Sequence, residues 1–212
     1  MELLMVSQIL ALLALLFTVV AFGQRLQRFS YLARPLDRAT PKGSVASGVK
    51  YAYFLGMMPW SKESTRLHVV AYLRGVAFHA GIFLGLTLLV ASPWVHAFPG
   101  WMRIAFGAGT GLGAIFGLAG LVSRIVEHNL KSLSTPDDYF AVSIVSVFLG
   151  VEALWLLIPG LQPVFYLVSA AMLVYAPLGK IRHCIYFAYS RLFYGKFIGS
   201  RAVLPHSQQG AH

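Results

Sequence analysis

Residues 69–91 read VVAYLRGVAFHAGIFLGLTLLVA, and this stretch decides the fold. It is almost wholly apolar and ends at Ser92-Pro93. Crossing a bilayer as a helix takes about 20 such residues, so the stretch is long enough to span a membrane. Because backbone groups in lipid must be satisfied within their own segment, we expect a transmembrane α-helix here.

The rest of the chain has the same character. Of its 212 residues, 58% are hydrophobic and 11% are charged. A soluble domain is about 45–50% apolar and about a quarter charged, so this composition excludes one. We predict an all-α integral membrane protein, a single membrane domain over residues 1–212 built as a five-transmembrane-helix bundle. Its spans are expected at 4–22, 69–91, 101–126, 139–158 and 163–187, the first being a retained helix and not a signal peptide.

Lysine and arginine residues predict the orientation of these spans. They gather between the first two spans, after the third and after the fifth, whereas Arg103 lies on the opposite side. By the positive-inside rule, the N-terminus is outside and the C-terminus inside. This placement explains the net charge of +10 without nucleic acid. The inside residues are Arg25, Arg28, Arg34, Arg38, Lys42, Lys50, Lys62, Arg66, Arg124, Lys131, Lys180, Arg182, Arg191, Lys196 and Arg201.

Two inside segments are candidate docking surfaces. The basic loop 24–62 mixes cations with aromatic residues, and the C-terminal tail 190–212 is also basic. Such segments suit an anionic lipid surface or a soluble partner subunit. In addition, Thr135-Pro136-Asp137-Asp138 has the residues of a helix start. The glycines of the third span, which predict close helix packing or room for a flat cofactor, are Gly107, Gly109, Gly111, Gly113, Gly117 and Gly120.

Two histidines are the main candidates for chemistry within the membrane. His79 lies in the second span and His183 at the inside end of the fifth, so both are expected towards the inner leaflet. Polar residues within spans are costly and usually functional. Two facing neutral imidazoles can bind a heme iron axially from two helices, and hydrogen bonding between helices is the alternative. Candidate partners for the heme propionates are Arg74, Lys180 and Arg182.

Three further residues are weaker candidates. His68 and His128 lie near the same membrane surface and are alternative ligands, although each also suits an ordinary solvated histidine. Glu152 is the one carboxylate deep in a span. It is a candidate for quinone or proton chemistry, with a structural hydrogen bond as the alternative.

Three segments together resemble a known family. They are Arg74–Ile82, which is similar to an FHxGI segment, residues 124–138, and Pro177–His183. Over residues 64–205 the chain resembles the five-helix cytochrome b family of the respiratory nitrate reductase gamma subunit, which includes heterodisulfide-reductase-like and sulfite-reduction-associated membrane subunits. The resemblance implies heme b on His79 and His183, menaquinone or ubiquinone as exchangeable substrate, a cytoplasmic iron–sulfur partner subunit and a prokaryotic cytoplasmic (inner) membrane.

The chain departs from the two-heme members of that family. Those members carry a second histidine later in helix two, paired with another in helix five. Leu89 stands at the first position, and Phe165 and Tyr166 stand at the second. We therefore expect a single inner-side heme b.

These features predict a heme b membrane-anchor subunit of an oxidoreductase complex. It would relay electrons between the iron–sulfur partner and the quinone pool, either as a non-catalytic or as a quinone-reacting subunit, and we name no catalytic residue. The alternative is a small membrane transporter or proton channel without heme that uses His79, Arg74 and Glu152 as a polar path. A membrane metalloenzyme is a third class, and the metal content of the purified protein separates the three.

Overall fold

The protein is helical throughout the part that the structure describes. The structure, a computed structural model, describes residues 2–32 and 39–204 apart from the side chain of Ser64, and shows no strand in them. The predicted inside residues Arg34 and Arg38, and the tail from 205 to 212, lie outside the described residues. The α-helices are α1 (Glu2–Tyr31), α2 (Val45–Tyr53), α3 (Glu63–Leu67), α4 (Val69–Ala91), α5 (Gly100–Val126), α6 (His128–Leu133), α7 (Pro136–Leu157), α8 (Gln162–Tyr175) and α9 (His183–Ser200).

Four of the described helices are long and apolar enough to cross a membrane. They are α1, α4 with its continuation to Ala97, α5 and α7. Pro159–Tyr175 and Lys180–Ser200 form a bent pair, which makes a fifth span if the pair counts as one. The predicted all-α class is therefore confirmed, with four or up to five candidate spans.

The segment predicted as the fifth span is interrupted. Instead of one helix over 163–187, α8 ends at Tyr175 and α9 begins at His183. Pro177 lies in the break, and proline lacks the N–H that a continuing helix needs. A short 3₁₀ turn at Lys180–Arg182 leads into α9. His183 consequently opens a helix and does not close one.

Two segments predicted as a loop and a tail are largely helical. Within 24–62, α1 continues to Tyr31 and α2 forms at Val45–Tyr53. Within 190–212, α9 continues to Ser200. The physical reason is that these segments pack on each other through aromatic and glycine residues, a long-range contact that a hydropathy pattern does not contain.

The chain divides into two compact units. The first unit contains the chain up to Gly23 and Leu73–Arg182. The second unit contains Gln24–Tyr72 and the chain from His183 onward. His79 thus belongs to the first unit and His183 to the second.

Helix α7 supplies the centre of the first unit. It starts as its residues predict, because Thr135 and Asp138 form a capping box and Pro136 occupies the first turn. Its buried face reaches α8 through Trp155, whose ring stacks on Phe165 with 4.4 Å between centroids. Helix α1 joins α8 where the Thr18 hydroxyl donates to the Leu173 carbonyl at 2.6 Å.

Glycines bring α4, α5 and α7 close together, as the glycine stripe of α5 predicts. A Cβ on Gly81 of α4 would lie 2.7 Å from the Gly113 Cα of α5. A Cβ on Gly117 would lie 2.3 Å from the Ser146 Oγ of α7. Since neither position has room for a side chain, small residues at these contacts set the helix spacing.

The second unit is held by a crossing of α2 and α9. A Cβ on Gly48 would lie 2.1 Å from the Gly195 carbonyl oxygen and 2.5 Å from the Gly199 Cα, so the two backbones touch. Phe29, in the last turns of α1, packs its ring on Tyr186 at 5.3 Å. The Tyr53 hydroxyl of α2 donates to the Ala188 carbonyl of α9.

Candidate functional site

His79 lies midway along α4 and is exposed. Its Nδ1 lies 2.7 Å from the Gly75 carbonyl oxygen one turn earlier. Because a carbonyl only accepts, Nδ1 carries the proton and donates it, and a neutral ring then has its lone pair on Nε2. A Cβ on Gly75 would meet no atom within 4 Å, so this face of α4 has open space beside the imidazole. Metal-ligating histidines are commonly oriented by a hydrogen bond of this kind, from one ring nitrogen to a carbonyl.

Arg74 lies five residues before His79 and reaches α5. Its guanidinium donates to the Ser123 hydroxyl at 2.6 Å. The guanidinium Nε would also lie 3.8 Å from a Cβ on Gly120. The side chain is therefore partly buried between two helices, with its cation fixed near the end of α5.

The other two predicted cations lie in the turn that precedes α9. Lys180 forms an ion pair with Asp138 at 2.6 Å, and Tyr175 donates to the neighbouring Asp137 carboxylate. Arg182 donates to the Leu178 carbonyl at 3.4 Å, which is a weak contact. Asp138 thus draws Lys180 towards the start of α7.

Three further histidines, His68, His128 and His183, lie at helix ends. His183 is the exposed first residue of α9 in the second unit. His68 ends α3 in the second unit, and His128 begins α6 in the first, both exposed. Within the described ranges, no three His, Cys, Asp or Glu side chains come close enough to share a metal ion. An axial heme site needs only two such ligands, so this finding does not bear on it.

Packed core side chains occupy Leu89, Phe165 and Tyr166, the positions from which a single heme was expected. Leu89 is buried in α4. Phe165 is fully buried between Trp155 and Phe148. The Tyr166 hydroxyl donates to Ser92 Oγ at 3.0 Å.

Glu152 is fully buried in α7. Neither carboxyl oxygen has a hydrogen-bond partner among the described residues, so the structural hydrogen bond considered above is absent there. A Cβ on Gly85 of α4 would lie 2.5 Å from Oε2, which means that the glycine makes room for the carboxyl group. The Ser146 hydroxyl, nearly two turns earlier in α7, is likewise buried without a partner in this part of the chain.

Sequence reasoning identified Glu152 by its depth but missed Gly85. The available signal was the pair Gly81 and Gly85, spaced by four residues on one face of the second span. It also missed a cavity in the second unit, described below, because that cavity depends on the crossing of α2 and α9.

No family profile matches the chain, and no curated protein or solved structure is significantly similar to it.

Proposed function

We propose that the protein is a heme b membrane subunit of a redox complex, with His79 and His183 as the axial ligands of one inner-side heme. The observation that carries this proposal is the orientation of His79. Its Nδ1–H donates to the Gly75 carbonyl at 2.7 Å, on an exposed face of a helix that is long and apolar enough to cross a membrane.

That orientation suits iron for a specific reason. A ligating imidazole must be neutral, and the carbonyl at Nδ1 both selects the tautomer and limits rotation of the ring. Open space at Gly75 leaves room for a flat macrocycle beside the ligand. His183 suits the second axial position by its residue type and its exposure at the start of α9.

Cations that lie close in sequence to both histidines are candidate partners for the carboxylates of a heme. Arg74 precedes His79 by five residues, and its hydrogen bond to Ser123 fixes the guanidinium. Arg182 directly precedes His183, whereas Lys180 is already paired with Asp138. We therefore rank Arg74 and Arg182 above Lys180 as propionate partners.

Heme b supplies reversible one-electron transfer when it is bound. His79 and His183 would hold the iron, and Arg74 and Arg182 would offset the charge of the propionates. The resemblance in sequence supports the two exchange partners, a cytoplasmic iron–sulfur subunit and menaquinone or ubiquinone in a prokaryotic inner membrane. Glu152 is our candidate for the proton that quinone chemistry requires, because its buried carboxyl group has no described partner.

Spectra of single-histidine variants test the ligands. We expect the purified wild type to give a b-type reduced-minus-oxidised spectrum that His79→Ala and His183→Ala each abolish. His96→Ala is the matched control, an exposed histidine in the turn after α4, and should keep the wild-type spectrum. Retention of the spectrum by His79→Ala or His183→Ala would refute that residue as a ligand.

The Glu152 carboxyl group also favours a second candidate, a proton channel without heme. Measuring proton flux into proteoliposomes under a pH gradient distinguishes the proton channel from the heme b subunit. Proton flux that is lost in Glu152→Gln, from protein that contains no heme, would establish the channel. Heme-containing protein whose quinone turnover falls in Glu152→Gln without any passive flux would establish the redox role.

A further inference from the structure

The second unit contains an open cavity of about 460 Å³. It lies between the end of the turn Pro59–Ser61 and α9, and Tyr51, Lys62, Arg191 and Tyr194 are among the residues that line it. Its volume is within the range of about 300–1,000 Å³ that is usual for small-molecule sites. A single monatomic ion would leave most of this space unused.

Two cations, Lys62 and Arg191, line this cavity. Burial lowers the pKa of Lys62, and the nearby guanidinium of Arg191 lowers it further. Among the described residues, no Asp or Glu lines the cavity. Holding two like charges together costs free energy, and an anion placed between them would remove that cost.

The walls of the cavity are fixed by contacts of their own. The Arg191 guanidinium lies over the Phe187 ring, 5.2 Å from its centroid, which limits its rotation. The Ser61 hydroxyl donates to the Leu55 carbonyl and closes the turn that carries Lys62. The Tyr51 ring packs against Gly56, where a Cβ would lie 3.1 Å from Cε1. The Arg191 guanidinium and the turn that precedes Lys62 are therefore held by contacts of the protein itself.

We propose that this cavity binds a phosphate group carried by the headgroup of an anionic phospholipid. Lys62 and Arg191 pair with the phosphate, and the phenol groups of Tyr51 and Tyr194 bind the polar remainder of the headgroup. Arginine and lysine together are the usual protein partners of phosphate. The cavity volume suits a phosphoglycerol group better than phosphate alone, and tyrosines are typical of the membrane–water interface.

Native mass spectrometry of the full chain in detergent tests this assignment. The titrated probes are phosphatidylglycerol, phosphatidylcholine and inorganic phosphate. The test variant is Lys62→Gln with Arg191→Gln. The control is Lys50→Gln with Lys196→Gln, which removes the same charge from exposed positions of α2 and α9 in the same unit.

We expect the test variant to weaken phosphatidylglycerol binding by about tenfold or more, because two charge-assisted contacts are lost. The control should change it by less than about threefold, as surface charges do. Equal losses in both variants, or no loss in either, would overturn the site. Inorganic phosphate that binds through Lys62 and Arg191 without competition from lipid would overturn the lipid source. Lys62→Gln alone, at an exposed residue, repeats the comparison if the double variant does not fold.

Discussion

At the scale of single residues, Glu152 lies at a position where a carboxyl group is expected to destabilise the fold. Its carboxyl group is fully buried and has no hydrogen-bond partner among the described residues. Leaving such a group without a partner costs about 1–3 kcal/mol. A carboxyl group buried at that cost, in a helix long and apolar enough to cross a membrane, is a candidate for function.

Replacing Glu152 with methionine should therefore stabilise the protein. Methionine has a similar length and no polar group to bury, so we expect Glu152→Met to raise the free energy of unfolding by about 1–3 kcal/mol. Thermal denaturation in detergent measures this change. Leu149→Met, on the same buried face of α7, is the control and should cost less than about 1.5 kcal/mol. Destabilisation by Glu152→Met beyond that of the control would mean that the carboxyl group has a partner.

Lys62 should make stability increase with pH. Its pKa is lower in the folded protein than in the unfolded chain, where lysine titrates at about 10.4. Below the folded pKa the side chain is charged in both states, and the cost of its partial burial and of its repulsion from Arg191 is present in full. As the pH rises through the folded pKa towards the unfolded value, the folded state loses its proton first and that cost disappears.

Thermal denaturation between neutral pH and the ordinary pKa of lysine tests this sign. We expect the melting temperature of Lys62→Met to exceed that of the wild type at neutral pH, and the difference to shrink as the pH rises. Lys50→Met removes a lysine from α2 in the same unit and controls for the general loss of charge. A difference that grows with pH would contradict the assignment.

At the scale of elements, the crossing of α2 and α9 depends on glycine. A Cβ on Gly195 would lie 2.7 Å from the Val49 Cα and 2.9 Å from the Gly48 carbonyl oxygen. Both neighbours are backbone atoms, which cannot move aside as a flexible side chain can. The two helices would have to separate to accept even one methyl group.

Gly195→Ala should accordingly destabilise the second unit. Overpacking of this kind costs about 1–3 kcal/mol. Limited proteolysis within 39–72 and 183–204 measures the destabilisation of the second unit. Thermal denaturation measures the loss of stability of the whole chain. Gly23→Ala is the control, since a Cβ there would meet no atom within 4 Å. Alanine at that helical position should be neutral or stabilising by about 0.5–1 kcal/mol. Equal protease resistance of Gly195→Ala and wild type would contradict the crossing.

The elements also show what a hydropathy pattern predicts well. The predicted spans 69–91 and 101–126 nearly coincide with α4 and α5, because Pro93 follows the first apolar run and Pro99 precedes the second. The apolar run over 163–187 did not predict the interruption between α8 and α9. Pro177 and Gly179 lie at that interruption without lowering the hydrophobicity of the run. Helix α2 was missed because its stability comes from α9, which is far away in sequence.

At the scale of the whole molecule, the fold class was easier to predict from the sequence than the geometry of the candidate site. The composition and the long apolar runs together predicted an all-helical protein with several candidate membrane spans. The depth of His79 and Glu152 followed from their places within apolar runs. Three features of the candidate sites arise only in three dimensions. They are the hydrogen bond from His79 to Gly75, the space that Gly85 leaves for Glu152, and the two cations that line the cavity of the second unit. They depend on side-chain rotamers and on contacts between segments that are far apart in the chain. The hydrophobic periodicity of a single sequence does not predict either of these.

The proposed function requires that the chain binds one heme b. A pyridine-hemochrome count on the purified wild-type protein, normalised to protein by amino-acid analysis, tests it most directly. We predict one heme b per chain. Two hemes per chain would mean that the positions of Leu89, Phe165 and Tyr166 do not mark the loss of a second site. Protein without heme would contradict the cytochrome assignment and favour the proton channel.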